Sequence, residues 1–240
     1  MKKFLITLFF APLFASSLVF ASEATLHLDK APDRSGDQAA LQHGAKIFVN
    51  YCLNCHSASY MRYNRLKDIG LTDQQIKDSL LFAADKVGEP MTIAMRRADA
   101  KVWFGVPPPD LTVIARARAS EFGSGADWLY TYLRSFYRDD SRPTGWNNTV
   151  FENVGMPHAL WDLQGEQAMG EDHKLKLSMP GTLKPAEYDA LVADLVGYLV
   201  YMGEPVAGFR KSLGIVVLIA LSILFVFAYA LKREYWKDIH

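Results

Sequence analysis

Two thiols three positions apart, followed at once by an imidazole, stand at Cys52-Leu53-Asn54-Cys55-His56, and they are the only cysteines among 240 residues. The spacing suits covalent attachment of a c-type haem: each thiol adds to one vinyl group, and the adjoining histidine then faces the iron as a ligand. Two other chemistries share part of the pattern. A zinc site would call for further cysteines or a paired histidine cluster, which the chain lacks. A thioredoxin-like dithiol would call for a βαβ setting and has no use for His56. The flanks here read as helix, so the pentapeptide is predicted to hold one haem c and the chain to move electrons.

An iron that changes oxidation state without changing ligands needs a second strong axial donor, and a His/Met pair raises its potential. Beyond the first segment the methionines are Met61, Met91, Met95, Met156, Met169, Met179 and Met202. Methionine is ordinarily a core filler; Met61 follows His56 too closely to cross the ring, and Met202 stands at a helix end beside an apolar run. Two candidates have matching surroundings, Asn153-Val154-Gly155-Met156-Pro157 and Ser178-Met179-Pro180-Gly181. In each, a glycine permits close backbone approach and a proline fixes the chain direction. Residue chemistry leaves both open, and Met179 precedes the final helix as the ligand does in many small c-type cytochromes. His158 and His43 are rival nitrogen ligands, each read as a surface or propionate-side histidine.

The compartment agrees with this chemistry. Residues 1–21 join Met1-Lys2-Lys3 to an apolar stretch and end in small residues at Val19-Phe20-Ala21, the pattern of a secretory signal peptide, with cleavage near Ser22 or after Ala24. Thioether bonds would use both thiols, so no disulfide is expected despite an oxidising compartment. A second apolar run, 212–231, is uncharged and lies between Arg210-Lys211 and Lys232-Arg233. Its 20 residues span about 30 Å, the thickness of a bilayer core, so a single transmembrane anchor is predicted over 210–231. Tyr235 and Trp236 would sit at the interface, and the tail 232–240 would stay inside.

The zero net charge conceals an asymmetry. Without Lys2 and Lys3, and without the five basic and two acidic residues from Arg210 onward, segment 22–209 holds 19 basic and 24 acidic residues, a charge of about −5. Such a domain would steer a basic partner and disfavours nucleic acid. At 188 residues it is long enough for one core.

Helical spacing of Leu41, Ala45, Phe48 and Cys52 predicts a helix that leads straight into the attachment site. Tyr188, Leu191, Val192, Leu195, Val196, Leu199 and Val200 form a 3.6-period stripe opened by Pro185 and stopped by Gly203 and Pro205. Between them, Pro107-Pro108-Pro109 cannot be helix interior, and Asp110 reads as the N-cap of a short helix over 110–119. A further helix is expected after Asp127, with Trp128, Leu129, Tyr132, Leu133 and Phe136 inward. Strand signals are weak, and the architecture is expected to be mostly α with long loops wrapping the haem.

Taken together, Tyr51-Cys52-Leu53-Asn54-Cys55-His56-Ser57 with Tyr60 and Tyr63, Pro108-Pro109-Asp110-Leu111 leading to Ala115-Arg116-Ala117-Arg118, Gly155-Met156-Pro157 and the single C-terminal anchor resemble cytochrome c1. That family is the haem-carrying, membrane-anchored subunit of the ubiquinol–cytochrome c reductase (bc1) complex. The resemblance covers nearly the whole mature chain and implies a c-type cytochrome fold. It implies haem attachment at Cys52 and Cys55, iron ligation by His56 and Met156, and pairing of Arg118 with a haem propionate, for which a guanidinium fork is suited. It further implies an electron-transfer subunit with no bond-making chemistry of its own, which accepts one electron from the Rieske iron–sulfur protein and passes it to a soluble or tethered cytochrome c. The anchor would pack beside cytochrome b, in a bacterial inner membrane with the haem domain in the periplasm. Two departures stand out: Gly155-Met156-Pro157-His158 replaces an alanine and double proline of mitochondrial members, and Val102-Trp103-Phe104-Gly105 replaces a more polar stretch. A freestanding membrane-tethered shuttle is the alternative, and a haem enzyme or gas sensor with an open iron position is a further one.

Overall fold

The computed structural model describes residues 26–238, so the signal segment 1–21 lies outside the described residues. Helix α1 (Gln38–Ile47) is opened by Asp37, whose carboxylate accepts from the Ala40 amide, and it buries Leu41, Gly44 and Ala45. Its last turn widens into a π-helical segment, Phe48–Cys52, closed by a Leu53 amide donating to the Phe48 carbonyl at 3.0 Å. The expected helix into the attachment motif is therefore present, with its end unwound by one residue.

The chain continues as β1 (Ala58–Arg62), a 3-10 turn (Tyr63–Ile69), α2 (Asp73–Ser79), β2 (Pro90–Met91), α3 (Arg97–Phe104), α4 (Ile114–Ala117) and α5 (Gly125–Arg134). Then come β3 (Phe136–Arg138), β4 (Trp146–Asn148), α6 (Trp161–Gln164), β5 (Gly165–Met169), β6 (Leu175–Pro180), α7 (Pro185–Gly203) and α8 (Ala207–Trp236). About half of the chain is helical, and the strands form three separate two-stranded antiparallel ladders, β1–β2, β3–β4 and β5–β6. Each ladder is short and partly exposed, which is why alternation did not reveal it.

Helix α7 is the spine. It buries Tyr188, Leu191, Val192, Leu195, Val196 and Leu199, whereas Val200, expected in the same stripe, faces outward. Helices α1 and α5 both pack on it, and Tyr188 ties α7 to α5 by donating from its hydroxyl to the Leu133 carbonyl at 2.8 Å. Helix α5 starts earlier than expected, because Ser124 caps it and Asp127 closes a capping box from its first turn. Phe136 is buried as expected, but from β3 and not from the helix.

Helix α8 runs 30 residues, about 45 Å at 1.5 Å per residue. None of its side chains is buried in the protein. That length exceeds the roughly 30 Å hydrocarbon core, so both helix ends reach the polar layers, where Lys232 stands over the Trp236 ring.

Candidate haem site

The attachment motif is a single tight turn, in which the Cys52 carbonyl accepts from the amides of both Cys55 and His56, at 3.1 and 2.9 Å. This brings Cys52, Cys55 and His56 to the lining of one cavity of about 410 Å³, within the size range of cofactor pockets. Burial pushes the Cys52 thiol up to about 12, which disfavours a thiolate there.

His56 is buried, and its Nδ1 lies 2.8 Å from the Pro109 carbonyl. A carbonyl only accepts, so Nδ1 carries the proton and Nε2 keeps its lone pair free for a metal. Burial also lowers the imidazole's basicity, against the weaker pull of the Pro109 carbonyl and Asp110. The ring is therefore held neutral, the form that ligates iron.

Pro109 is placed by a strap. Its neighbour Leu111 donates to the Ser57 carbonyl at 2.8 Å, and the Asp110 carboxylate accepts from the amides of Ser59 and Thr112, both at 2.8 Å. Asp110 is thus no helix cap: α4 begins four residues later, and the carboxylate instead ties the proline run to the chain just after the attachment motif. Burial raises the Asp110 carboxyl, but the hydrogen bonds from Thr112 and Ser59 outweigh it and hold the group below its ordinary value of 3.8. A carboxyl depressed in the folded state stabilises it above the unfolded value, and that contribution is lost as pH falls through the folded one. Asp110→Asn should therefore melt below the wild type at pH 7, and the gap should narrow at acid pH, as the folded carboxyl takes up its proton. A gap of equal size at both pH values in a thermal melt would show that the charge is not what holds the strap.

Met156 lines the same cavity, 100 residues along the chain from His56. Its loop is pinned at several points. Asn148, fully buried, accepts from the Val150 and Phe151 amides and donates to the Tyr132 carbonyl; Asn147 accepts from the Asn153 amide, and Arg142 donates to the Asn153 side chain and carbonyl. The buried Tyr132 hydroxyl donates to Met156 Sδ at 3.4 Å. Met179, by contrast, lies in β6 opposite Glu166, is 46% exposed and does not line the cavity.

Trp128, Leu129, Leu195 and Leu199 supply apolar surface from α5 and α7, and Arg118 is the one cation in the lining. Its guanidinium sits 4.4 Å from the Trp128 ring centroid and has no carboxylate partner among the described residues. The donor set and the apolar lining fit a haem. His43 is paired with Asp194 at 2.9 Å on the α1–α7 seam. His158 is not a surface histidine: at 2% exposure it stacks on Phe136 with rings 4.8 Å apart and meets Trp146 edge-on. Sequence reasoning did not find the Pro109 carbonyl or the Tyr132 hydroxyl. The one signal available was that three successive prolines cannot donate and so offer free carbonyls.

A histidine-bearing Cys-x-x-Cys turn opening on an apolar cavity, on a largely helical domain followed by one exposed apolar helix, defines the class: a membrane-anchored c-type cytochrome. The chain belongs to the Cytochrome C1 family, which it matches over residues 30–86 and 83–239. It is 47% identical to the cytochrome c1 of Allochromatium vinosum over the whole of both chains. It is 50% identical, over all of this chain and 99% of the other, to a Nitrosomonas europaea protein named ammonia monooxygenase gamma subunit. A Bradyrhizobium diazoefficiens protein named cytochrome b/c1 is 27% identical over 85% of this chain and 34% of its own length. As a family member the chain carries one covalently bound haem c, is membrane-anchored and serves electron transfer in the bc1 complex, which contains cytochrome b.

Proposed function

We propose that this subunit is the electron outlet of the complex: it takes one electron from the Rieske iron–sulfur protein and passes it to a soluble or tethered cytochrome c. The observation that carries the reading is the meeting of His56, with its tautomer fixed by Pro109, and Met156 in one apolar cavity. When bound, the haem supplies a one-electron iron couple. Cys52 and Cys55 would hold it, His56 Nε2 and Met156 Sδ would donate to its iron, and Arg118 would pair with a propionate. The apolar lining would keep water from the bound group and so favour a small reorganisation on electron transfer. Residues 1–21 act as the export signal, 22–209 form the haem domain on the periplasmic side of a bacterial inner membrane, 210–231 span it, and 232–240 form the inside tail.

Extraction of the native protein in mild detergent, followed by a reduced-minus-oxidised spectrum, tests the reading. A co-purifying b-type haem and iron–sulfur subunit, with the c-type haem reducible by quinol, is the expected result. A lone c-type haem that quinol does not reduce would support the tethered shuttle instead. The name of the Nitrosomonas relative gives oxygen chemistry a claim, which needs an open iron position. Carbon monoxide decides this point: an iron held by both His56 and Met156 binds it poorly, and tight binding would overturn the ligand pair.

A further inference from the structure

Met156 reaches the cavity from a stretch without regular structure, between the end of β4 at Asn148 and the start of α6 at Trp161. The backbone hydrogen bonds that pin this loop all fall on its first half, up to Asn153. From Val154 to Leu160 no backbone amide finds an acceptor among the described residues. A segment with so few hydrogen bonds opens easily unless side-chain packing holds it, and a sulfur donor carried on it needs such a hold.

His158 supplies one. It stands two residues after Met156, across Pro157, whose ring fixes the backbone between them. It is buried, yet it does not line the haem cavity, although Pro157 and Ala159 on either side of it do. Its ring lies flat on Phe136, with centroids 4.8 Å and planes 3° apart, and meets Trp146 edge-on at 5.1 Å. The Arg138 guanidinium covers Trp146 at 4.1 Å. Phe136 in turn meets the Tyr132 ring at 5.0 Å, and the Tyr132 hydroxyl donates to Met156 Sδ. The contacts therefore close on themselves, from Met156 through Pro157 to His158, then to Phe136, to Tyr132 and back to the sulfur. Hydrogen bonding does not make this hold: Gln164 stands beside the ring, but neither His158 Nε2 nor Gln164 Oε1 has a partner among the described residues. The aromatic faces do.

We propose that His158 is a positioning residue for the methionine donor: packed on Phe136 and Trp146, its ring fixes the second half of the ligand loop and so keeps Met156 on the haem iron. The proposal rests on the ligand pair of the functional reading above and says what holds one member of that pair in place. Aromatic pairs favour particular arrangements beyond the area they bury, and Pro157 passes that constraint to Met156. Without the ring the sulfur keeps its contact with Tyr132, but the chain after it is free to shift. A larger share of molecules would then carry an iron position open to other ligands.

The test uses the whole complex purified in mild detergent, with the c-type haem oxidised, and adds cyanide, which binds ferric haem only where the protein's own ligand has left. His158→Leu fills the space but cannot stack. It is expected to weaken the methionine–iron charge-transfer band, lower the midpoint potential and speed cyanide binding about tenfold, for the loss of two aromatic contacts. His158→Phe keeps a ring and drops both nitrogens. It should restore the wild-type band, potential and cyanide rate, and melt at or above the wild type, because a buried polar atom without a partner is gone. A His158→Leu complex that melts lower but keeps the wild-type band and cyanide rate would make the residue part of the core only and overturn the proposal. Failure of His158→Phe to restore them would assign the effect to a ring nitrogen and overturn it too. Should His158→Leu not assemble, Trp146→Leu removes one ring partner with His158 in place and should speed cyanide binding by a smaller factor; an unchanged rate there overturns the proposal. Met156→Leu separates it from the reading beneath: a charge-transfer band that survives in that variant overturns the ligand pair and the positioning role together, whereas a band lost there beside an unaltered His158→Leu overturns the positioning role alone.

Discussion

Replacing Met156 by leucine is expected to lower the haem midpoint potential by about 0.2 V, a fraction of the roughly 0.8 V that axial ligation spans, and to remove the methionine–iron charge-transfer band. Leucine nearly conserves the side-chain volume, so the cavity stays filled and the change isolates the sulfur. The second effect is local: the Tyr132 hydroxyl, buried and donating to Sδ, loses its acceptor, at a cost of about 1–3 kcal/mol. Tyr132→Phe separates the two contributions. It keeps the ring stacked on Trp128 at 4.7 Å and removes only the O–H. A hydrogen bond to sulfur draws electron density from the iron's donor and favours the reduced state, so its loss should lower the potential by less than the loss of the sulfur does. Met179→Leu is the control, because Met179 is half-exposed in β6. A redox titration in which Met179→Leu shifts the potential and Met156→Leu does not would reverse the ligand assignment.

What could be read from the sequence was whatever is written in local spacing. The attachment motif, the helix before it, the α7 stripe and the apolar run of α8 each repeat a pattern within one element, and each stands where the pattern put it. The failures at the site share a physical cause, which is partners distant in sequence. Asp110 resembles an N-cap because aspartate commonly is one, yet its carboxylate is taken by the Ser59 amide 51 residues away. His158 resembles a surface histidine until Phe136 and Trp146, from two other strands, close around it. The choice between Met156 and Met179 could not be made from flanking glycine and proline, which they share; it turns on which loop the buried Asn148 pins against α5 and which forms a hairpin edge. The carbonyl that fixes the His56 tautomer belongs to a proline, and only the run of three prolines around it marks the place in the sequence.

A residue with no chemistry is also a sensitive point of the fold. Gly44 lies on α1 where that helix crosses α7, and a Cβ built there would stand 2.1 Å from the Asp194 carbonyl oxygen and 2.8 Å from Tyr198 Cβ. Two effects of Gly44→Ala oppose each other. Alanine gains about 1 kcal/mol of helix propensity over glycine, while overpacking against a rigid neighbour costs about 3 kcal/mol. The obstacle is backbone and cannot rotate away, so the steric cost wins, and a net loss of about 2 kcal/mol should lower the melting temperature by about 4–8 °C. Gly36→Ala, with open space around the added carbon, should leave it unchanged. The consequence extends to the site, because α1 ends in the turn that carries Cys52 and α7 supplies Leu195 and Leu199 to the cavity. Forcing the helices apart moves one side of the haem pocket against another, and the fraction of chain that stains for covalent haem after denaturing electrophoresis should fall with the melting temperature. A Gly44→Ala protein that melts at or above the wild type with full haem content would mean that α1 and α7 do not cross this closely. Loss of haem without loss of stability would locate the glycine's role in the attachment turn alone.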